Sequence, residues 1–321
     1  MAIAEYFRRE KKPLRGLMAV EWVAAAYLLF TAVLMALHWE QLVNPVSMTE
    51  GRIRIVIITL AMWGVYRMVP CKLLLLARIL VQLAMLSWWY PDTYELNRIL
   101  PNLDHVFAGW EQALFGCQPA LLFAQKVPWD WFAELMCMGY ASYYPLIVVV
   151  AVYYFVARHR EFGMAAFVIL ASFYAYYVVF DLVPVTGPQY YFPAVGIEKI
   201  AQGALPDVGN WFLTHHDAMA VPGWTDGFFH QLVEEAHAAG ERPTAAFPSS
   251  HVGITTVLML LAHRTGSRPL VFTMLPFYVL MCFATVYIRA HYAIDALAGL
   301  ATGAALYYGL CRVSQRFVWR K

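Results

Sequence analysis

His291 and Asp295 stand four residues apart at the head of a long apolar run, so on a helix their side chains lie one above the other on a single face. There the carboxylate can accept the proton-bearing nitrogen of the ring. That contact fixes the tautomer, frees the other nitrogen as a nucleophile and stabilises positive charge on the imidazole. A second histidine, His251, follows Pro248, Ser249 and Ser250 at the start of a different apolar run. Displacement at phosphorus needs such a partner, to protonate the departing oxygen and then deprotonate the acceptor. Ser249 or Ser250 can cap a helix beginning there, leaving its first backbone N–H groups to face an anion. Arg289 carries a guanidinium matched to phosphate oxygens. A third stretch, Gly187-Pro188-Gln189-Tyr190-Tyr191-Phe192-Pro193, offers Gln189 and Tyr190 to a phosphate and Tyr191 to the lining of a site. Asp181 and Thr285 are further lining candidates, being close in sequence to the Gly187 turn and to His291.

Each stretch has an ordinary reading of its own. A His-x-x-x-Asp pair commonly does no more than stabilise a helix, Pro-Ser-Ser-His starts helices, and Gly-Pro-Gln-Tyr-Tyr reads as a turn with interfacial aromatics. Found together at the ends of apolar runs, they read as one catalytic site, because ionisable residues at membrane depth are costly and tend to be functional.

Membrane helices must position these residues. Of the 321 residues 61% are hydrophobic and only 14% charged, against about 25% charged in an ordinary soluble domain. A net charge of +2 offers no basic face to a nucleic acid. The five cysteines are scattered and odd in number, which argues against a disulfide framework or a zinc site and leaves them a packing role. Eight stretches approach the length that a hydrocarbon layer requires: 17–38, 53–70, 73–90, 131–157, 163–184, 249–263, 270–288 and 291–313. The sixth is short and needs shielding by its neighbours. With the N-terminus in the cytosol, fifteen Lys and Arg, Arg320 and Lys321 among them, fall inside and seven outside. An even number of spans returns the C-terminus to the same side, and all three reactive stretches then face away from the cytosol.

Two long segments lie on that outer side. The first, 91–130, carries Ile99, Leu100, Leu103, Val106, Phe107, Trp110 and Leu114 at helical spacing with Asp104 and Glu111 between them, which predicts an interfacial helix. The second, 185–248, predicts a short helix over 226–239 that Gly240 stops. His215, His216, His230 and His237 have no acidic or thiol partner at metal-binding spacing and read as solvated loop residues. Glu21, Arg78, Glu134 and Asp181 lie in or near spans and are expected to pair or to face a cavity. The expected organisation is an all-α bundle: two accessory spans and a first core span in 1–90, the interfacial segment 91–130, and a catalytic core in 131–321, with the last six spans forming the core.

The three stretches resemble the type 2 phosphatidic acid phosphatase superfamily, whose motifs are K-x6-R-P, P-S-G-H and S-R-x5-H-x3-D. Pro248-Ser249-Ser250-His251 is similar to the second, with Ser250 in place of Gly, and His291 with Asp295 to the end of the third. The resemblance spans roughly 131–313. It implies His291 as nucleophile, Asp295 as its orienting partner and His251 as general acid and base, with neither metal nor cofactor. Ala284 and Thr285 occupy the Ser and Arg positions of the third motif, and no Lys or Arg stands in the Gly187-Pro188-Gln189-Tyr190 stretch, so three phosphate-binding cations are missing. Arg289 can replace one. Backbone N–H groups, tyrosine hydroxyls, Lys199 and Arg242 are the other groups that can make up the deficit. The Gly-Pro-x-Tyr stretch, Thr285-Val286-Tyr287 and His291-Tyr292 are more similar to the inositol phosphorylceramide synthase branch than to simple phosphatases. That branch implies a phospholipid donor and a lipid hydroxyl acceptor such as ceramide, and a diester's single negative charge suits a site with few cations. A lipid phosphatase using water is the alternative, and a non-enzymatic transporter a remoter one.

Overall fold

Among residues 4–240 and 242–317, which the computed structural model describes, every regular element is helical and no strand forms. Arg320 and Lys321 of the charge count lie outside the described residues. In chain order the helices are α1 (Ala4–Phe7), α2 (Ala19–Leu37), α3 (Pro45–Met68), α4 (Lys72–Asn97), α5 (Asp104–Phe115), α6 (Pro119–Lys126), α7 (Asp130–Ala141), α8 (Tyr143–Ala157), α9 (Phe162–Leu182), α10 (Pro188–Val195), α11 (Ile197–Ala201), α12 (Phe228–Gly240), α13 (Ser250–Arg264), α14 (Arg268–Tyr287) and α15 (Ala293–Phe317).

Helix α9 is apolar around its whole circumference and is accordingly the buried axis of the bundle. It packs against α2, α4, α8, α13 and α15. Helix α13 lies against α14 and α15, and α14 against α7. The α13–α15 crossing is close because both helices present glycines: a Cβ on Gly299 would stand 2.6 Å from the Ser249 carbonyl, and one on Gly303 2.4 Å from the Gly253 carbonyl. The shared face of Asp295, Gly299 and Gly303 is thus a packing face. At one end of the bundle Tyr6 stacks on Phe155, Arg9 pairs with Cys71, the Arg158 guanidinium donates to the Thr265 carbonyl and Arg264 meets Glu161. The opposite end holds the N-termini of α13 and α15 and the C-termini of α9 and α14.

Among the described residues five helices are long and apolar enough to cross a membrane: α2, α4, α9, α14 and α15, with α9 counted from the preceding turn. A sixth span is formed if α7 and α8, bent by 42°, are taken together. The sequence expectation of eight spans differs at the remaining two for separate reasons. Helix α3 carries Glu50, Arg52, Arg54 and Arg67, and its Arg52 is buried in a bidentate pair with Asp92 of α4 (3.1 and 2.6 Å). Helix α13 has only 15 residues. The third run does not end at Tyr90; α4 continues through Pro91 to Asn97. Tertiary bonds outweigh the lost helical N–H, since Tyr94 donates to the Phe212 carbonyl (2.9 Å) and Asn97 to that of Phe180 (3.0 Å). The other charges in spans pair as expected. Arg78 and Glu21 meet at 2.5 Å with no exposed surface, and Glu134 accepts the Phe229 and His230 N–H groups at the start of α12.

A helix forms within 91–130, and its acids face inward. It begins at Asp104, later than the periodicity indicates, and buries Asp104, Phe107, Ala108 and Glu111 while Trp110, Leu114 and Phe115 stay exposed. Asp104 and Glu111 are seven residues apart and so share a face. That face turns inward because polar backbone at the start of α15 and before α10 lies beneath it.

Candidate active site

The two histidines come together at the end of the bundle where α13 and α15 begin. Their ring centroids are 5.8 Å apart, with the planes at 63°. Ser249 caps α13 and its hydroxyl accepts from the Val252 N–H at 3.4 Å. The first N–H groups of that helix, those of Ser250 and His251, therefore have no intrahelical partner. The His251 ring lies between Tyr140 (4.5 Å, 27°) and Tyr143 (4.4 Å, 44°) at the break between α7 and α8, and its Nδ1 finds no hydrogen-bond partner among the described residues. The residue as a whole is half-buried.

His291 does not stand on α15. It occupies the turn before it, with its backbone N–H donating to the Thr285 carbonyl at 3.0 Å. Helical stacking over Asp295 is consequently lost, and the sequence expectation for that pair is corrected. The His291 Nδ1 donates to the Ala246 carbonyl at 2.7 Å, whereas the Asp295 carboxylate is 3.8 Å away. A carbonyl oxygen only accepts, so Nδ1 carries the proton and Nε2 the lone pair. Asp295 instead accepts the Tyr292 N–H at 2.8 Å, the position of a capping-box acid three residues into a helix. Its charge still lies beside the imidazole. Ala245 and Arg289 both adopt a φ of +69°, a conformation unfavourable for residues with a Cβ. They flank the segments that meet at the Ala246–His291 bond.

The pocket at the histidines is lined by His251, His291, Ser250, Gln189, Thr186, Thr244, Tyr90, Tyr140 and Arg242, with backbone from Ala245, Ala246 and Ala290. Gln189 is held there by its N–H to the Arg289 carbonyl (2.9 Å). Gly187 has φ +93°, and a Cβ on it would meet the Ala290 carbonyl at 2.7 Å, so this close approach of the two segments requires glycine. Arg289 is not in the pocket. Its Nη1 donates to the Ala220 carbonyl at 3.2 Å, and burial lowers its pKa. Arg242 is the one cation among the described lining residues. The remaining candidates lie outside the pocket. Thr285 is buried and serves His291 through its carbonyl, and Tyr190, Tyr191 and Phe192 pack into a second apolar core beside the bundle core. Asp181 accepts from Tyr27 of α2 at 2.9 Å, away from the histidines.

Sequence reasoning passed over Ala246, which acts only through its backbone, and the inward acids of α5. Glu111 accepts from the Ile294 N–H at 3.3 Å, and burial raises its carboxyl from 4.5 to about 8, with Asp295 adding to the rise. Asp104 is pushed up by burial and pulled down by donors from Thr186, Asn102 and Gly187. The signal for both acids was their spacing of seven. His230 also departs from expectation: it is 4% exposed and its Nε2 bonds the Val221 carbonyl at 3.0 Å, while His215 and His216 are exposed. Among the described residues no group of His, Cys, Asp and Glu could hold a metal ion.

A family model described as the PAP2 superfamily matches residues 105–309, more than half of the chain. The match starts well before residue 131, where the motifs alone would begin it, and takes in nearly all of α5. No curated protein and no solved structure matches the chain.

Proposed function

This chain belongs to the PAP2 superfamily, and from that premise we propose that it is an integral-membrane lipid phosphotransferase acting through a phosphohistidine. The observation that carries the reading is the pair of imidazoles, one on α13 and one in the turn before α15, 5.8 Å apart, the latter with its Nδ1 proton engaged by a carbonyl. In the first step the His291 Nε2 lone pair attacks phosphorus, the bond to the departing alcohol breaks, and His251 gives that oxygen a proton. In the second, His251 takes the proton of the acceptor hydroxyl, the acceptor oxygen attacks phosphorus, and the N–P bond returns its electrons to Nε2. Asp295, 3.8 Å from Nδ1, stabilises the cationic ring during transfer. Gln189, Ser250, Arg242 and the first N–H groups of α13 surround the phosphoryl oxygens.

The scarcity of cations favours a phosphodiester, with one negative charge, over a monoester with up to two. Together with the sequence resemblance to inositol phosphorylceramide synthases, this supports transfer of a phosphoinositol-like head group from a glycerophospholipid to a lipid hydroxyl such as that of ceramide. The charge count supports both termini cytoplasmic and the histidines on the extracytoplasmic side. Purified protein incubated with phosphatidylinositol, with and without ceramide, tests the reading. The expected result is diacylglycerol and a ceramide carrying the phosphoinositol head group, formed only when both lipids are present, with label trapped on His291 and lost in His291→Ala. Preferential release of inorganic phosphate from phosphatidic acid would instead assign a lipid phosphatase. Near-normal turnover in His291→Ala would refute the mechanism.

A further inference from the structure

Asp104 is fully buried on α5, remote in sequence from both histidines, and its carboxylate accepts five hydrogen bonds. They come from the Asn102 amide (2.7 Å), the Thr186 N–H (2.7 Å) and hydroxyl (2.8 Å), the Gly187 N–H (2.8 Å) and the Tyr292 hydroxyl (3.0 Å). Three of these donors belong to Thr186 and Gly187, at the head of the segment that brings Gln189 to the pocket. The fifth belongs to the residue next to His291. The two segments touch each other directly as well, through Gln189 on the Arg289 carbonyl and Gly187 against the Ala290 carbonyl. One anion therefore clamps both walls of the pocket from behind. A buried carboxylate with every donor in place is rigid, and loss of one partner leaves the others unsatisfied.

We propose that Asp104 is a positioning residue for phosphoryl transfer, holding the Thr186–Gly187 turn and Tyr292 in one register so that His291 and Gln189 face the same phosphorus. It touches no substrate and acts through Tyr292 and Gly187. The inference rests on the histidine chemistry proposed above and adds to it a cause for the placement of His291. Displacing a nucleophile by about 1 Å costs up to roughly a hundredfold in rate, so the clamp governs the chemical step more than the binding of lipid tails.

The test compares Tyr292→Phe, which deletes one donor and keeps the ring, with Asp104→Asn and the double variant, all as full-length protein in detergent. The readouts are kcat and KM per mole of folded protein for a phosphodiester lipid, and the dissociation constant of orthovanadate, a mimic of phosphorus in transfer. Tyr292→Phe is expected to lower kcat about tenfold with KM within about twofold, and to weaken vanadate by a similar factor. Asp104→Asn is expected to lose more, and the double variant no more than Asp104→Asn, because both act through one bond. If Asp104→Asn fails to fold, Tyr292→Phe decides alone. Unchanged kcat and vanadate affinity in Tyr292→Phe, with only the melting temperature lowered, would overturn the proposal and leave the histidine chemistry standing. Wild-type protein that neither binds vanadate nor turns over any phosphoester removes the underlying reading, and this inference falls with it.

Discussion

Replacing Glu111 by Gln should remove a pH-dependent loss of stability that the wild-type protein carries. The Glu111 side chain has no exposed surface, one oxygen accepts from the Ile294 N–H at 3.3 Å, and the other has no hydrogen-bond partner among the described residues. Burial therefore disfavours the anion, and the nearby Asp295 disfavours it further, raising the carboxyl from 4.5 to about 8. The folded chain binds this proton more tightly than the unfolded chain does. The stabilisation is complete below the unfolded value near 4.5, declines as the pH rises, and is gone above about 8. The gap between the two values corresponds to about 5 kcal/mol. A glutamine keeps the acceptor for Ile294 and never ionises. Thermal unfolding of the detergent-solubilised proteins, measured from pH 5 to 9, should then show the variant gaining on the wild type as pH rises. The expected relative gain in Tm is on the order of 10 °C. Other titrating groups are common to both proteins and cancel in the difference. A difference that stays flat across this range would refute the buried-acid argument.

Asp295→Asn keeps an acceptor for the Tyr292 N–H but removes the charge 3.8 Å from His291. Its kcat should fall by roughly a hundredfold with little change in Tm, whereas Asp295→Ala should lose both; full activity in the Asn variant would exclude the electrostatic role. Gly303→Ala puts a Cβ 2.4 Å from the Gly253 carbonyl and should destabilise by about 1–3 kcal/mol in thermal unfolding. Gly64→Ala on α3, where a Cβ meets nothing within 4 Å, serves as the neutral comparison. Arg242→Gln should raise the KM for the phosphoester donor about tenfold, and Arg289→Gln should raise it less, because only Arg242 lines the pocket. Equal effects of the two, or a larger one from Arg289, would contradict the placement of the cations.

Much of this protein follows from local chemistry along the chain. Apolar runs of membrane length at 17–38, 163–184 and 270–288 become helices because a backbone away from water must pair its N–H and C=O groups within its own segment. His251 and His291 were identifiable because the residues beside them, a helix-capping serine and an acid four positions on, are sequence neighbours. Periodicity in α5 gave a helix with two faces, but not which face is buried. That depended on the unpaired backbone groups of Gly187 and Ile294, which lie far along the chain. The acceptor for the His291 ring is equally invisible in sequence, since the carbonyl of Ala246 is the same atom that every residue carries. So is the exchange of Arg289 for Arg242 in the pocket, which turns on where two loops fold rather than on the type of either residue. A one-dimensional pattern specifies what each segment tends to form and which groups it offers. Only the packed chain decides which backbone atoms, 45 or more residues apart, come within hydrogen-bond reach, because that choice is made by all the neighbouring helices together.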